Sequence, residues 1–563
     1  MNVAVSMDSP VTAKVRRMIE LARSHYEAGG VNAAAAYYRM ILKDTSPPKN
    51  GVERVAHGEA CLWYARKALH DKHVGEAADW YQRAINADPL AVEYRIEYCI
   101  KALLPMAAFK MARIEAETAT KIEPDNAKAW RTLAGIEHTL GNVAAAIAGY
   151  DRQLELTSDP RARLDRATIA LDTADYNTVR EMCTPALSDQ DCRADAMLCL
   201  AMADYREGKH EQAIELYDRA IALGCYDPEL AIWNKSLALH SIGRYKEGWA
   251  AHEARGRQIT DGGMALVMNR FTAPRWDGKT PGRVHIHQEM GHGDVIAMAR
   301  YVPLVQEMGC EVSLEVLEPM VSLMARSFPG VRVVPRAKNY PGAIGLPLFD
   351  FHVPMLSLPA IFGTDVDTVP WRGLYLKTDP ELVARHRDLL PANKRKIGLC
   401  WSSGIRNDGL WLSEYGRRKS MAFETLRPVF LQQVQRGDAT HIDLWTDRAD
   451  DCFVSLQVGP EARECRSPVI SLLPEKPNWD DTAALIECLD IIVTVDTSVA
   501  HLAGALGKPV MLMMHTEGSW HWMTERLDSP WYPMAKIYRQ EKVHEWEGVV
   551  DHVARDLHAC AVT

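Results

Sequence analysis

A small residue recurs about every 34 residues through the first half of the chain, and this repeat constrains the fold more than any other feature. An aromatic or another small residue usually follows four positions later, which places the two on one helix face. A unit of this length holds two helices, and one pair cannot bury its own apolar face, so successive pairs must stack. The recurring positions are Ala34, Ala77, Ala112, Ala146, Val179, Ala213 and Gly248.

Individual units match the tetratricopeptide (TPR) pattern. Trp130, Leu133 and Ala134 fit its W-x-x-L-[GA] opening, and Gly141 and Gly208 supply the turns between paired helices. We therefore predict an α-helical TPR solenoid over residues 1–257. Such an array is either a stabilising spacer or a groove that docks an extended polypeptide. We favour docking, because solenoids of this size present a long concave surface.

After residue 257, apolar runs of strand length alternate with helical stretches, which is typical of parallel α/β sheets. We expect a linker at 258–282, Rossmann-like doubly wound domains at 283–378 and 394–540, and a C-terminal helix at 541–563. Ligands of such sheets bind at the carboxyl ends of the strands. The predicted strands are 284–287, 311–316, 331–334, 396–401, 441–445, 453–456, 491–495 and 510–513. The main predicted helices are 294–308, 422–435, 481–489 and 499–506.

Composition narrows the function classes. The formal net charge of −9 argues against nucleic acid as a partner, because binding phosphates needs basic surface. The twelve cysteines form no Cys-x-x-Cys pair, so we expect reduced thiols and no structural zinc. The first residues lack the pattern of a signal peptide, and the most apolar stretch, 489–514, contains charged residues, so we predict no membrane span. The predicted location is cytoplasmic.

The strongest site motif is VTVDTSVAHLAGALGKP at residues 493–509. A strand ends at Asp496, and Thr497 and Ser498 are good N-cap residues for the helix that follows. Free N–H groups and the helix dipole attract a phosphate at such an end, and His501 lies one turn further, within reach of the same anion. The alternative is a well-capped helix with a packed histidine.

This motif resembles the V-D-T-x-x-x-H-L-A-x-A-L-x-K-P stretch of bacterial heptosyltransferase-type enzymes and TPR glycosyltransferases, and more distantly O-linked N-acetylglucosamine transferase. The resemblance implies a GT-B fold and a glycosyltransferase that takes a nucleotide-sugar donor, needs no metal or other cofactor, and inverts the anomeric carbon. Further stretches that resemble the family lie at residues 248–255, 350–359, 455–457, 479–483 and 529–533.

A second motif, EMGHGD at residues 289–294, resembles the E-Q-G-L-G-D loop of the same family. By this resemblance Asp294 is the general base that removes the proton of the acceptor hydroxyl. Its alternative role is a helix N-cap. His292 and His352 are secondary acid–base candidates, and the alternative for each is an ordinary histidine of a polar loop.

A third element follows the first strand of the second α/β domain. Trp401 opens a loop that leads to the basic residues Arg418 and Lys419. In the family a basic residue at the position of Lys419 contacts the donor phosphates, and a fixed cation there favours departure of the nucleoside diphosphate. The alternative is a solvated basic loop, and residues 408–417 are longer than the family pattern. Gln457, at a strand end, is a candidate contact for the nucleobase.

The leading functional hypothesis is transfer of a sugar to a protein or peptide acceptor held in the TPR groove, with flagellin or another surface protein as the acceptor that the resemblance suggests. A second hypothesis replaces the acceptor with a glycan or a lipid-linked sugar. A third is an interaction scaffold with an inactive transferase half. Asp294, Thr497 and His501 together argue against the scaffold, because an inactive site has no need of all three.

Overall fold

The structure is a computed structural model that describes residues 10–257, 267–336, 346–404, 410–434, 444–447 and 449–559. The chain divides into two compact units, residues 1–170 and 171–563. In the first unit, the described residues 10–170 form helices and the turns between them, with no strand. The second begins with the last helices of the repeat array and continues into two parallel sheets.

The described part of the first half consists of consecutive antiparallel helix pairs, which confirms the predicted TPR-like array. A short π-helical segment, Cys99–Leu103, extends the fifth helix. The helices are α1 Pro10–Glu27, α2 Val31–Asp44, α3 Gly51–His70, α4 Val74–Ala87, α5 Val92–Tyr98, α6 Phe109–Ile122, α7 Ala127–Thr139, α8 Val143–Leu156, α9 Pro160–Asp172, α10 Tyr176–Ala186, α11 Arg193–Arg206, α12 His210–Ala222, α13 Pro228–Ser241 and α14 Tyr245–His252.

The recurring small residues lie where the two helices of a pair approach each other. Ala34 and Ala77 occupy the second helix of their pairs and are fully buried. Tyr38 and Tyr81, four residues later, are also buried and stack on aromatic rings of the next helix. Packing therefore requires one small residue in each helix pair, because a larger side chain at that position would separate the two helices. The small residue recurs once per pair, which gives the spacing of about 34 residues.

The first sheet of the second unit has four parallel strands in the order β3-β2-β1-β4. β1 lies in the centre and pairs with β2 and β4, with Ile286 opposite Leu314 and Val353. The strands are β1 Arg283–His287, β2 Glu311–Val316, β3 Arg332–Pro335 and β4 Phe351–Pro354.

The second sheet has six parallel strands in the order β12-β11-β10-β5-β8-β9, and β6 and β7 form a separate antiparallel pair. Central strand β10 is buried from its second residue onward and pairs with β5 and β11. The strands are β5 Arg395–Cys400, β6 Leu431–Val434, β7 Leu444–Asp447, β8 Asp451–Ser455, β9 Ile470–Ser471, β10 Ile491–Val495, β11 Val510–Met514 and β12 Ala535–Arg539.

Helices follow β1, β2, β5, β9 and β10 of the two parallel sheets, so the predicted fold class, a TPR solenoid followed by a GT-B-like α/β region, is confirmed. Among the described helices, none has both the length and the apolar character needed to cross a lipid bilayer. The helices of this part are α15 His292–Ala299, α16 Val302–Glu307, α17 Val321–Ser327, α18 Leu358–Ile361, α19 Pro380–Leu389, α20 Leu410–Arg418, α21 Arg427–Phe430, α22 Trp479–Glu487, α23 Ser498–Ala505 and α24 Glu547–Ala559.

Two helix predictions need correction. The single helix predicted over 294–308 is two helices, α15 and α16, and Pro303 lies at the start of the second, where proline is tolerated. The helix predicted over 422–435 is wrong. Only α21 is α-helical there, and 431–434 forms strand β6, because backbone pairing with β7 overrides the helical spacing of the apolar residues.

We expect Gly248→Ala to destabilise the second unit. A Cβ at this position of α14 would lie 2.3 Å from Cδ2 of His240, whose buried ring is held by Trp249 and Trp520. Such overpacking costs about 1–3 kcal/mol, so the apparent melting temperature should fall by several degrees. Gly548→Ala is the matched control, because a Cβ on α24 meets no atom within 4 Å among the described residues. Equal melting of the two variants would contradict this packing.

Candidate functional site

The carboxyl ends of β1 and β10 lead into two helices that pack directly against each other. β1 continues through residues 288–291 into α15, and β10 continues through Asp496 and Thr497 into α23. A Cβ at Gly293 of α15 would lie only 2.8 Å from Cδ2 of His501 on α23. The glycine therefore allows the two helices, and the two loops before them, to meet.

The start of α23 is built as an N-cap. Thr497 has extended backbone angles, and its hydroxyl oxygen accepts a hydrogen bond from Val499 N at 3.2 Å. The first-turn N–H groups of a helix lack partners within the helix and, with the dipole, favour an anion. Ser498, the first residue of α23, is half-buried at this end.

A buried ion pair lies beside this helix start. Lys419 Nζ is 3.0 Å from Asp496 Oδ2, and Trp522 Nε1 donates to Asp496 Oδ1 at 2.8 Å. Burial alone would raise the pKa of Asp496, but Lys419 and the nearby His515 outweigh it and hold the pKa well below its usual range. Asp496 is therefore an anion that fixes Lys419, whose side chain is still 16% exposed.

Asp294 occupies the third position of α15. Its Oδ2 accepts from Gly291 N at 3.1 Å, and its Oδ1 lies 3.7 Å from His521 Nε2. Burial raises the pKa of Asp294 to about 6, against the lowering effects of the Gly291 hydrogen bond and Lys419. One carboxylate oxygen thus caps the helix, while the other faces His521, and the side chain is a quarter exposed.

Sequence reasoning missed two histidines that follow β11. His521 stacks on Trp520 with ring centroids 3.6 Å apart, and His515 Nε2 lies 3.9 Å from Asp496 Oδ2. Burial lowers the pKa of both, so both imidazoles are neutral at pH 7. The position of the loop after the carboxyl end of a central strand was the signal that could have found them.

His501 is placed inside the contact between α15 and α23. Its Nδ1 and the Tyr532 hydroxyl are hydrogen-bonded at 3.0 Å, and its ring packs near His521 and Trp522. Burial lowers the pKa of His501 to about 4, so the ring is neutral. A direct contact of His501 with a bound anion stays a prediction.

Gln457 and Trp401 hold the loop that follows β5. Gln457 Oε1 accepts from Trp401 N at 3.1 Å and Ser402 N at 2.9 Å, and its Nε2 donates to Ser402 O at 3.1 Å. The Trp401 ring is fully buried against Phe423. Both residues therefore shape a loop whose neighbour Cys400 has its Sγ 4.0 Å from the Thr497 hydroxyl.

Arg418 is directed toward the repeat helices. Its Nε lies 3.1 Å from Glu517 Oε1, and its Nη1 donates to Asp172 O at 3.2 Å. Glu517 also accepts a hydrogen bond from the hydroxyl of Tyr176 on α10. The residue next to Lys419 is thus fixed to α9 and α10 by a buried network.

The two secondary histidine candidates lie apart from each other. His292 opens α15, and its ring contacts Trp479 on α22, with centroids 5.3 Å apart. His352 lies on β4, where its Nδ1 is hydrogen-bonded to His287 Nε2 at 3.1 Å. The described contacts bring together Asp294, Lys419, Asp496, Thr497, Ser498 and His501. The ring of His352 instead contacts His287 on β1 and Phe271, which precedes the first sheet.

Comparison with known proteins finds a glycosyltransferase match in the part of the chain that holds much of this site. Residues 456–520 match glycosyltransferase family 9 (heptosyltransferase), and residues 19–92 match the tetratricopeptide repeat. The first range holds Gln457, Asp496, Thr497 and His501, whereas Asp294 and Lys419 lie outside it. The prediction of a glycosyltransferase with TPR repeats is therefore confirmed.

A curated relative is Protein FlbA of Caulobacter vibrioides, which is 25% identical over 461 residues, 77% of this chain and 67% of that protein. Among solved structures, a TPR protein from Parabacteroides merdae covers 43% of this chain and 92% of its own, at 13% identity and a TM-score of 0.36. The TPR protein TTC0263 of Thermus thermophilus covers 33% and 98%, at 19% identity and a TM-score of 0.26.

We expect Gln457→Leu to destabilise the loop after β5. The substitution leaves the buried N–H groups of Trp401 and Ser402 without their acceptor, at about 1–3 kcal/mol for each. Thermal unfolding should show a clear loss of stability. Gln306→Leu on α16 removes the same atoms at a half-buried position and should melt close to the wild type. A Gln457→Leu variant as stable as this control would show that the amide does not hold the loop.

Proposed function

We propose that the protein transfers a sugar from a nucleotide-sugar to a hydroxyl group of a polypeptide, with inversion at the anomeric carbon and without a metal ion. The observation that carries the proposal is the position of Asp294. A carboxyl group whose pKa is raised to about 6 lies in the packed contact between the start of α15 and α23, and it interacts electrostatically with Lys419.

The donor diphosphate would lie at the start of α23. The N–H groups and dipole after Thr497 favour a bound anion, and Lys419 supplies a cation that Asp496 holds in place. Negative charge grows on the leaving diphosphate as its bond to the sugar breaks, so these groups stabilise the transition state more than the ground state.

Asp294 would act as the general base. The acceptor oxygen forms its bond to the anomeric carbon while the bond to the diphosphate oxygen breaks, and the hydroxyl proton passes to the Asp294 carboxylate. A base with a pKa near 6 is largely ionised at pH 7 yet still basic enough to accept this proton. One displacement on the face opposite the leaving group inverts the configuration.

The acceptor would be a polypeptide held by the repeats. Tetratricopeptide arrays present a concave surface suited to an extended chain. Within the second unit, the last repeat helices contact the catalytic part directly: Trp531 Nε1 donates to the Tyr245 hydroxyl at 2.9 Å, and Trp249 Nε1 donates to Thr364 O at 2.9 Å. A chain that leaves these repeats would therefore emerge next to the transferase.

The first test identifies the donor and then uses Asp294→Asn. A thermal-shift screen against UDP-, GDP-, ADP-, CMP- and dTDP-sugars selects the donor, and a peptide library with a central serine or threonine serves as acceptor. Asp294→Asn should bind the donor with unchanged affinity and lose about 100- to 10,000-fold in transfer rate, measured by mass spectrometry of the peptides. Transfer by this variant at the wild-type rate would overturn the assignment of the base.

The pH dependence gives an independent test. Because the base must be deprotonated, kcat/KM should be half-maximal near pH 6 and fall about tenfold per pH unit below it. Lys419 lowers the pKa of Asp294, so Lys419→Met should move this acid limb to higher pH as well as weaken donor binding about 10- to 100-fold.

Lys536→Met is the matched control, because Lys536 pairs with Asp556 on the exposed surface of the same domain. It should leave both the pH profile and donor affinity unchanged. An acid limb that stays in place in Lys419→Met would contradict the coupling between Lys419 and Asp294.

A further inference from the structure

A buried imidazole lies beside the proposed base. His521 follows β11 in a short 3₁₀ turn, Trp520–Trp522, and its side chain is only 3% exposed. Its Nε2 is 3.7 Å from Asp294 Oδ1 and makes no hydrogen bond to any described residue. Buried ring nitrogens are normally hydrogen-bonded, so an unpaired nitrogen this close to a carboxylate points to an interaction that is completed when substrates bind.

The ring of His521 is held in a fixed position. It stacks on Trp520 with ring centroids 3.6 Å apart, and Trp531 contacts it edge-on. The backbone is fixed as well, because the hydroxyl of Ser529 donates to the carbonyl oxygen of His521 at 3.2 Å. Turning the imidazole away from Asp294 would therefore displace both tryptophan rings.

The hydrogen-bond pattern around the ring favours a hydrogen on Nε2. His521 Nδ1 is 2.9 Å from Ser519 Oγ, and a serine hydroxyl can donate to an unprotonated ring nitrogen. An ionised carboxylate only accepts hydrogen bonds, so the nitrogen that faces Asp294 is favourable when it carries the hydrogen. A neutral imidazole has one N–H, and this arrangement places it on Nε2.

The surroundings of His521 keep its imidazole neutral at pH 7. Burial lowers the pKa of His521 well below its usual range, and the nearby histidines and Arg300 lower it further, whereas Asp496 opposes them. His521 is therefore a weaker base than Asp294, whose pKa is about 6, so the proton of the acceptor stays on the carboxyl group. The titratable and charged groups around the ring are Asp294 on α15, Arg300 at the end of α15, Asp496 after β10, His501 on α23, His240 on α13 and His252 on α14.

We propose that His521 is a positioning residue for the transfer reaction: its Nε2–H donates to Asp294 Oδ1 once the substrates are bound and holds the carboxylate toward the acceptor hydroxyl. Asp294 Oδ2 already accepts from Gly291 N at 3.1 Å, so a second hydrogen bond fixes the plane of the carboxylate. The separation of 3.7 Å is too long for a hydrogen bond in the unbound protein, but catalytic hydrogen bonds often tighten only in the complex with substrate. This inference rests on the proposed role of Asp294 as the base.

The test uses the full chain with the nucleotide-sugar and the peptide selected above. His521→Phe keeps a ring that can stack on Trp520 but removes the N–H. Its kcat should fall about 10- to 100-fold because the base is no longer aligned, while KM for either substrate changes less than about threefold. Loss of a hydrogen bond to the ionised carboxylate raises the pKa of Asp294, so the acid limb of the pH profile should move up by about one pH unit.

A rescue variant and a control complete the series. His521→Gln places an amide N–H near the position of Nε2, so kcat should stay within about fivefold of the wild type and the acid limb should not move. His552→Phe, at an exposed position of α24, is the matched control and should behave as the wild type. A His521→Phe enzyme with unchanged kcat and acid limb, or a His521→Gln enzyme as slow as His521→Phe, would overturn the proposal.

A measurement on the wild-type protein does not depend on how the variants fold. Long-range ¹H–¹⁵N spectra of the full chain with ¹⁵N-labelled histidine report which ring nitrogen carries the hydrogen, and the resonances of His521 are those lost in His521→Gln. We expect a neutral ring with the hydrogen on Nε2 at pH 7, and a changed Nε2 shift in Asp294→Asn. A hydrogen on Nδ1, or a protonated ring, would contradict the proposed hydrogen bond.

The double substitution of Asp294→Asn and His521→Phe separates this inference from the proposed function. If His521 only positions the base, the double variant should transfer at the rate of Asp294→Asn to within about twofold, whereas multiplied losses would show that His521 acts elsewhere. Transfer by Asp294→Asn at the wild-type rate would mean that the proposed base itself is wrong. An unchanged His521→Phe beside an inactive Asp294→Asn refutes only the role of His521.

Discussion

The contact between Gly293 and His501 is the constraint on which the rest of the site depends. It allows α15 and α23 to approach at the carboxyl ends of the central strands of two separate sheets. Asp294 lies one residue beyond this contact, and the capped start of α23 lies one turn before it. A larger residue in place of Gly293 would separate the proposed base from the proposed phosphate site, although neither group would itself be altered.

The electrostatics of the site follow from the close approach of α15 and α23. The positive charge of Lys419 lowers the pKa of two carboxyl groups, Asp294 and Asp496. Asp496 Oδ2 is 3.0 Å from Lys419 Nζ, and this carboxyl group stays ionised. Lys419 has a smaller effect on Asp294, whose pKa is raised because burial is the largest contribution. Similar side chains thus acquire different chemistry from their surroundings, one as a fixed anion and the other as a group that can exchange a proton near neutral pH.

Much of the fold was predictable, because the repeats and the central strands repeat simple spacings of small or apolar residues. The buried alanines of α2 and α4 and the limits of β2 and β10 follow from local pattern alone. Strand β6 did not follow from it, because its pairing partner β7 lies ten residues further along the chain. His521 was missed for a related reason: its approach to Asp294 joins residues that are far apart in sequence, and no local spacing encodes it.

The network of Tyr176, Glu517 and Arg418 limits where one repeat array can be exchanged for another in such a chain. Tyr176, on a repeat helix, and Glu517 and Arg418, in the transferase, form a buried hydrogen-bonded cluster. Arg418 is followed in the chain by Lys419, which pairs with Asp496. The last helices of the array are therefore an integral part of the catalytic half rather than a detachable adaptor. A chimera that exchanges one recognition array for another preserves this cluster if the junction precedes Tyr176, and the boundary at residue 171, where the chain divides into its two units, meets that condition.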